Sequence, residues 1–349
     1  MSPTNRWHYY RRIFSAYFGS GRSQLTFWHE VPEINPRAFA TSKENGATGA
    51  LARPCDELAD KLGHDLGEYY MRFRQKAEYA GHYGSGGIPM LDYHGAIGLQ
   101  YNPIAIAQWG LANYNRFCQT RDDARWQKTL KSADWLCANL EQNSHGLWVW
   151  NHHFDWEYRD TLKAPWYSGL AQGQGVSLLL RAHAQSASEK YLQAARQAFV
   201  ALTRPITEGG VLFTDGAGDL WLEEYLVDPP THILNGFMWA LWGVFDYAVA
   251  CRDSAAQDIF DRGVKTLTHN LARYDTGYWS LYEQSGTRMK MLASPFYHQL
   301  HIVQLRVMAM LTRDKLFAET ADRWQYYSTR FSNRALALAE KSAFKLFYY

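Results

Sequence analysis

The sequence predicts a mainly α fold, an (α/α) toroid of inner and outer helix pairs whose β-hairpin-bearing loops line a cleft. Three observations point there. Four apolar segments each follow a proline, at Pro103, Pro165, Pro230 and Pro295, with intervals of 62, 65 and 65 residues. An amphipathic stretch follows each of them. Between successive pairs stand long loops with strand signals. A linear solenoid of helix pairs is the architectural alternative.

The inner segments read PIAIAQWGLANYNRF, PWYSGLAQGQGVSLLLRA, PTHILNGFMWALWGVFDYA and PFYHQLHIVQLRVMAML. They are apolar on nearly all sides, as buried helices are. Proline suits a first helical turn, where its missing N–H leaves nothing unsatisfied. Outer helices are expected over 122–143, 188–203, 254–271 and 313–343. In the second, Tyr191, Leu192, Ala195, Phe199 and Val200 share one face. The loops HGLWVWNHHFDW, GGVLFTDGAGDLWLEEY and TGYWSLYE carry the aromatic and β-branched residues of short strands. Residues 1–80 read as an irregular segment with one helix, over 55–78, packed on a main domain spanning 81–349.

Composition excludes several functions. A hydrophobic content of 47% excludes a disordered chain. A net charge of +2 gives no broad footprint for nucleic acid. The glycine-rich HYGSGGIP lacks the form of a phosphate-binding loop. The cysteines, at 55, 118, 137 and 251, form no CxxC pair and read as reduced thiols. Arg11 and Arg12 precede no apolar run of a secretory signal. The stretch 236–250 contains Asp246 and is short for a membrane span. A cytoplasmic protein is therefore expected.

Trp 14 and Tyr 23 are the unusual excess. Rings with a polar handle suit the C–H faces and hydroxyls of sugars. Trp109, Trp239, Trp242 and Phe245 fall in inner helices and read as packing. Trp148, Trp150, Trp166, Tyr167, Tyr225, Tyr282 and Tyr297 fall in loops or at helix starts, where they would face the cleft. Tyr101, Trp166 and Tyr167 are candidate platforms; Gln172, Gln174, Asn235, His298 and His301 are candidate partners for hydroxyls. Glu223 and Glu224 read either as half of an acid/base carboxylate pair or as solvated loop acids. His152, His153 and Asp155, or His298 with His301, lack a third ligand fixed by spacing, so no metal is expected.

The segments QYNPIAIAQWGLANY, APWYSGLAQGQGVSLLLRAH, WLEEYLVDPPTHILNGFMWALWGVFDY, ARYDTGYWSLYE and FYHQLHIVQL together resemble the C-terminal catalytic domain of D-glucuronyl C5-epimerases. The resemblance covers about residues 80–330. It implies an (α/α) toroid, a homodimer, no redox cofactor, and a heparosan-like polysaccharide as substrate. The implied reaction is reversible epimerisation of D-glucuronate at C5 to L-iduronate. The family's glutamate–tyrosine pair matches Glu224 and Tyr225. Its two further tyrosines match Tyr282 and Tyr297, and its asparagine matches Asn235. The arginine expected after the hairpin tyrosine has no in-register match; Arg288 is the nearest. The β-rich region and membrane anchor of vertebrate-type members have no visible counterpart, so a compact version is expected.

The chemistry fits these residue types. A C5 proton α to a carboxylate is weakly acidic. Its removal needs a base on one face, an acid on the other, and neutralisation of the enediolate. Tyrosine near its ordinary pKa of about 10 needs a nearby cation to act as base. Arg288, His298 and His301 are the candidates. Tyr297 is expected opposite a group of Glu224, Tyr225 and Tyr282. A polysaccharide lyase shares the first step, and a non-catalytic glycan-binding module shares the platforms.

Overall fold

A computed structural model describes residues 27–39, 66–93, 95–158 and 161–348. Four antiparallel helix pairs organise it. The inner helices are α1 (Pro103–Thr120), α3 (Gly169–Ser186), α5 (Leu234–Cys251) and α7 (Pro295–Thr312). The outer ones are α2 (Asp123–Ala138), α4 (Glu189–Thr203), α6 (Ser254–Asn270) and α8 (Lys315–Thr329). Each inner helix packs on its outer partner, and the inner helices pack in succession, α1 on α3, α3 on α5 and α5 on α7, as in an (α/α) toroid.

The turn joining each pair is two residues long and built the same way. Arg121, Ala187, Arg252 and Arg313 adopt left-handed φ angles of 57°, 55°, 50° and 58°. Each donates its N–H to a carbonyl of the helix just ended. The next residue caps the outer helix: Asp122, Asp253 and Asp314 accept from its first N–H groups. Ser188 holds the same position without a side-chain bond. Three of four left-handed positions are arginine rather than glycine, which hides the turn from a search for glycine.

The core lies between the inner helices. Helices α3 and α5 meet at glycines. A Cβ on Gly173 would lie 2.7 Å from the Ala240 Cα, and one on Gly243 would lie 2.3 Å from the Gly173 carbonyl oxygen. Arg181 and Asp246, both buried, bridge the same two helices at 2.5 Å.

The described N-terminal residues seal the ring's end. Phe27 clusters with Ala105 and Trp109 of α1. The His29 ring lies 5.1 Å from Phe296 of α7. Tyr69 stacks on Trp239 of α5, and the Tyr70 hydroxyl donates to Asp246 at 2.6 Å.

Several expectations need correcting. Residues 66–73 are not helical; only Arg74–Ala77 forms a turn of helix. The Asn115 side chain accepts from the Tyr69 N–H and donates to the Met71 carbonyl, so this chain is held extended. Residues 55–65 and Cys55 lie outside the described part. Pro165 and Pro230 do not start helices. Trp166 is bridged to His152, so α3 begins only after Ser168, whose Oγ accepts from Ala171. The last outer stretch is two helices, α8 and α9 (Phe331–Tyr348), because Ser328 and Thr329 turn their hydroxyls back onto carbonyls.

The loops carry short antiparallel pairs. These are β1 (His82–Tyr83), β2 (Pro89–Asp92) and β3 (Leu99–Gln100) in one sheet; β4 (Glu141–Gln142) with β5 (Trp148–Val149); β6 (Trp156–Glu157) with β7 (Thr161–Leu162); and β8 (Leu212–Thr214) with β9 (Leu220–Leu222). TGYWSLYE forms isolated bridges rather than a hairpin. Cys118, Cys137 and Cys251 are free thiols. No helix among the described residues is long and apolar enough to cross a membrane.

Candidate active site

A cavity of about 740 Å³ opens where the loops meet the inner-helix N-termini. Glu224 and Tyr225 reach it from the chain after β9, Asn235 from the first turn of α5, and Tyr297 from the first turn of α7. Ser294 caps α7 and accepts from the Tyr297 N–H, which fixes where that turn begins. Trp166 forms one wall and is itself stacked on His152 at 3.8 Å.

The two adjacent glutamates do different things. Both are buried, which excludes the solvated reading. Glu223 binds the His232 ring at 2.5 Å and the His232 N–H at 3.1 Å, bracing the loop ahead of α5. Glu224 faces the cavity and accepts from Asn235 Nδ2 at 3.3 Å. It fits only because residue 236 is glycine: a Cβ there would lie 2.2 Å from its Oε2. Burial pushes the Glu224 carboxyl up to about 8, and Glu223 adds to this against hydrogen bonds from Tyr225 and Asn235.

Three tyrosines surround Glu224. Burial raises Tyr225, Tyr282 and Tyr297 above the ordinary value, and the charge of Glu224 raises each further. Tyr282 lies 4.8 Å ring to ring from Tyr297 and hydrogen-bonds it. Tyr282 thus stands beside Tyr297 and within reach of Glu224 and Tyr225, but it is not among the residues that line the cavity. Tyr158 packs on Tyr225 at 4.7 Å and donates to Glu283, whose carboxyl burial raises to about 7.

Other expected residues are placed elsewhere. His298 stacks on Trp279 at 3.9 Å and bonds Ser280 and the Trp324 carbonyl. His301 also meets Ser280. Burial lowers His298 to about 4 and His301 well below its usual range, so both are neutral and neither is the cation sought. Gln172 spends its amide on Trp150 N–H and on the Trp148 and Ala198 carbonyls. Trp150 is fully buried, with its Nε1 donating to Leu136, so it is core rather than platform. Trp148 packs against the core. Gln174 accepts from Gln108 Nε2 inside the core, although Gln108 itself lines the cavity. Tyr167 bonds the Gly209 carbonyl, and Tyr101 packs on Trp135; neither lines the cavity. Arg288 is exposed and outside it. Trp239, read as packing, does line it. Among the described residues no group of three His, Cys, Asp or Glu is placed to hold a metal.

Two lining residues were not anticipated. Lys76 is the one lysine or arginine among the described residues of the cavity wall. Its Nζ sits 4.3 Å over the Phe27 ring and donates to the Phe27 carbonyl. Burial lowers it to about 8 against the pull of Glu30. Tyr93 also lines the cavity, its hydroxyl accepting from Asn102 Nδ2 at 2.7 Å. Lys76 lies in the stretch expected to be helical and Tyr93 in the less regular stretch after it, and nothing in either pattern pointed to a cavity.

Comparison with known proteins falls on the same loops. The family model described as D-glucuronyl C5-epimerase C-terminus matches residues 142–326, more than half of the chain. The chain belongs to this family. A D-glucuronyl C5-epimerase of Caenorhabditis elegans is 33% identical over 214 residues, 56% of this chain and 34% of the worm protein. An uncharacterized protein of Methanocaldococcus jannaschii is 26% identical over 199 residues, 56% of this chain and 63% of its own length. The chain therefore spans under two thirds of these relatives. Among solved structures, the unsaturated glucuronyl hydrolase from Bacillus sp. GL1 overlays with a TM-score of 0.45 and 12% identity, covering 64% of this chain and 61% of that one. The epimerase-family span contains Trp166, Glu224, Tyr225, Asn235, Tyr282 and Tyr297; Lys76 and Tyr93 precede it.

Proposed function

We propose that this chain epimerises D-glucuronate at C5 to L-iduronate within a heparosan-like polysaccharide. The observation that carries the reading is one buried carboxyl, Glu224, within the electrostatic reach of three tyrosines, all four of them inside the family-matched span. The pairing of two copies implied by the family belongs to the same proposal.

At neutral pH Glu224 is mostly protonated and the tyrosines are neutral. At this end of the pocket, Glu224 and the tyrosines then offer O–H donors to an incoming uronate, while Glu30, Glu33 and Asp92 line the opposite, N-terminal wall. A protonated carboxyl in an apolar site can donate to an enediolate, as known enzymes of other folds show. Lys76 supplies positive charge on the same wall. In the step itself, a tyrosinate takes the C5 proton and the C–H electrons move onto the carboxylate. A neutral tyrosine on the opposite face then returns a proton to C5. Burial works against the tyrosinate, so base action requires positive charge in the loaded pocket to lower the pKa, and Lys76 is the side chain on the wall that carries it. Tyr297, with Tyr282 beside it, serves one face; Tyr225, with Glu224, serves the other.

Incubation with heparosan in D₂O, followed by NMR of the uronate, tests this. Deuterium at C5 with iduronate appearing is expected. No exchange overturns the proposal. Ultraviolet absorbance of an unsaturated uronate would instead identify β-elimination.

A further inference from the structure

A second hollow lies outside the family-matched span. Its volume is about 440 Å³, and Arg37, Arg72, Arg74 and Arg116 line it together with Asn35 and Gln119. No carboxylate lines it among the described residues. The whole chain carries a net charge of only +2, so four arginines around one concavity are a local concentration.

The neighbouring acids leave these guanidiniums short of partners. Glu68 is occupied by Asn35, Arg37 and Gln119 at 2.8, 2.6 and 2.7 Å. Arg72 and Arg74 share a single oxygen of Glu33 at 3.5 and 3.4 Å. Arg116 comes only within 3.9 Å of Glu78, which Arg125 already holds at 2.6 Å. The Arg116 Nε is buried and has no hydrogen-bond partner. Each guanidinium has five N–H donors arranged to fork a carboxylate or sulfate.

The hollow and the catalytic cavity share a wall. Residues 71–74 alternate: Met71 and Phe73 line the cavity, Arg72 and Arg74 the hollow. Glu33 lines the cavity mouth and touches both arginines. We propose that the arginine hollow binds a carboxylate or sulfate on an anionic polysaccharide strand, at a unit beyond the one that reacts. This rests on the function proposed above and extends it to the strand.

Calorimetric titration of heparosan polymer into the full chain, wild type and the double variant R72Q/R74Q, provides the test, with R116Q measured separately. The double variant should bind the polymer about tenfold more weakly, the loss expected for charge-assisted bonds. The preference in C5 exchange for polymer over a short fragment should fall by a similar factor. Thermal denaturation checks that the variants fold, and R74E gives a charge reversal should R72Q/R74Q prove unstable. Inorganic sulfate titrated alone separates the sources. If sulfate binds the hollow but polymer affinity is the same in wild type and variants, the site takes small free anions and the proposal is overturned. Unchanged polymer affinity with no sulfate binding overturns it as well. If wild type binds polymer yet exchanges no C5 proton, the epimerase reading fails while the calorimetry still decides the hollow.

Discussion

The described N-terminal residues and the span 142–326 contribute to one cavity in different ways. The family-matched span brings Glu224, Tyr225 and Tyr297 to the wall and packs Tyr282 behind Tyr297, and burial raises the ordinary pKa of all four. The residues before that span bring the cavity Lys76, the one lysine of its described wall, together with Glu30, Glu33 and Asp92, and they bring Arg37, Arg72 and Arg74 to the hollow behind it. In the proposed mechanism the reacting groups and the lysine that would receive an anionic substrate thus come from separate stretches of chain. Under that proposal, part of what would neutralise a uronate lies outside the matched span.

The largest effect should come from the acid side. Tyr297→Phe removes one hydroxyl and leaves the ring packed against Tyr282 and Phe296. C5 deuterium exchange should fall by about 10²–10⁴, the usual worth of a general acid or base. Tyr282→Phe should also abolish measurable exchange. Both variants exchanging at the wild-type rate would remove the tyrosines from the mechanism.

The seam between the two regions comes next. Asp246 and Arg181 belong to the matched span, and Tyr70 reaches them from outside it. Asp246→Ala strands the Arg181 charge in the core and should cost about 3–5 kcal/mol of stability. Tyr70→Phe removes one hydrogen bond to a charged acceptor and should cost about 1.5–3 kcal/mol. Denaturant unfolding measures both. A Tyr70→Phe variant as stable as wild type would show that the N-terminal residues are not anchored there.

The cation side is tested by Lys76→Met. The methionine keeps the volume, so exchange activity should drop about tenfold to a hundredfold through lost charge, the range of a single electrostatic contact. Unchanged kcat/KM would mean that the N-terminal residues only wall the cavity.

Much of this was legible in the sequence. The proline period found the inner helices, because buried helices are apolar on all sides and leave a plain trace. The motif WLEEY found Glu224 and Tyr225. That came from the resemblance; side-chain type alone could not tell Glu223 from Glu224, since that depends on which way each side chain leaves the chain. His298 and His301 looked like site residues by type and spacing, yet the Trp279 and Trp324 contacts that place them in the core are long-range. The helix expected over 55–78 survives around Lys76 only as the turn Arg74–Ala77; Asn115, distant in sequence, holds Tyr69 to Met71 just before it extended.

The smallest effect is a pH dependence, and it separates the two regions again. Glu224 is raised from 4.5 to about 8 in the folded chain. Its protonated form is favoured there, so its contribution to stability is full below pH 4.5 and is lost as pH rises toward 8. Glu224→Gln should therefore be no more stable than wild type near pH 4 and more stable, by a few kcal/mol at most, near pH 9. Binding follows the same proton. Above about pH 8 the ionised Glu224 repels a uronate, so wild-type KM for heparosan should rise there while that of Glu224→Gln stays flat. Lys76 also titrates at about 8, and its loss of charge adds to the rise in KM. The double variant Glu224→Gln with Lys76→Met apportions the two. A KM that still climbs above pH 8 in Glu224→Gln and is flat in the double variant assigns the remainder to Lys76. An identical climb in all variants would place the titrating group outside this cavity.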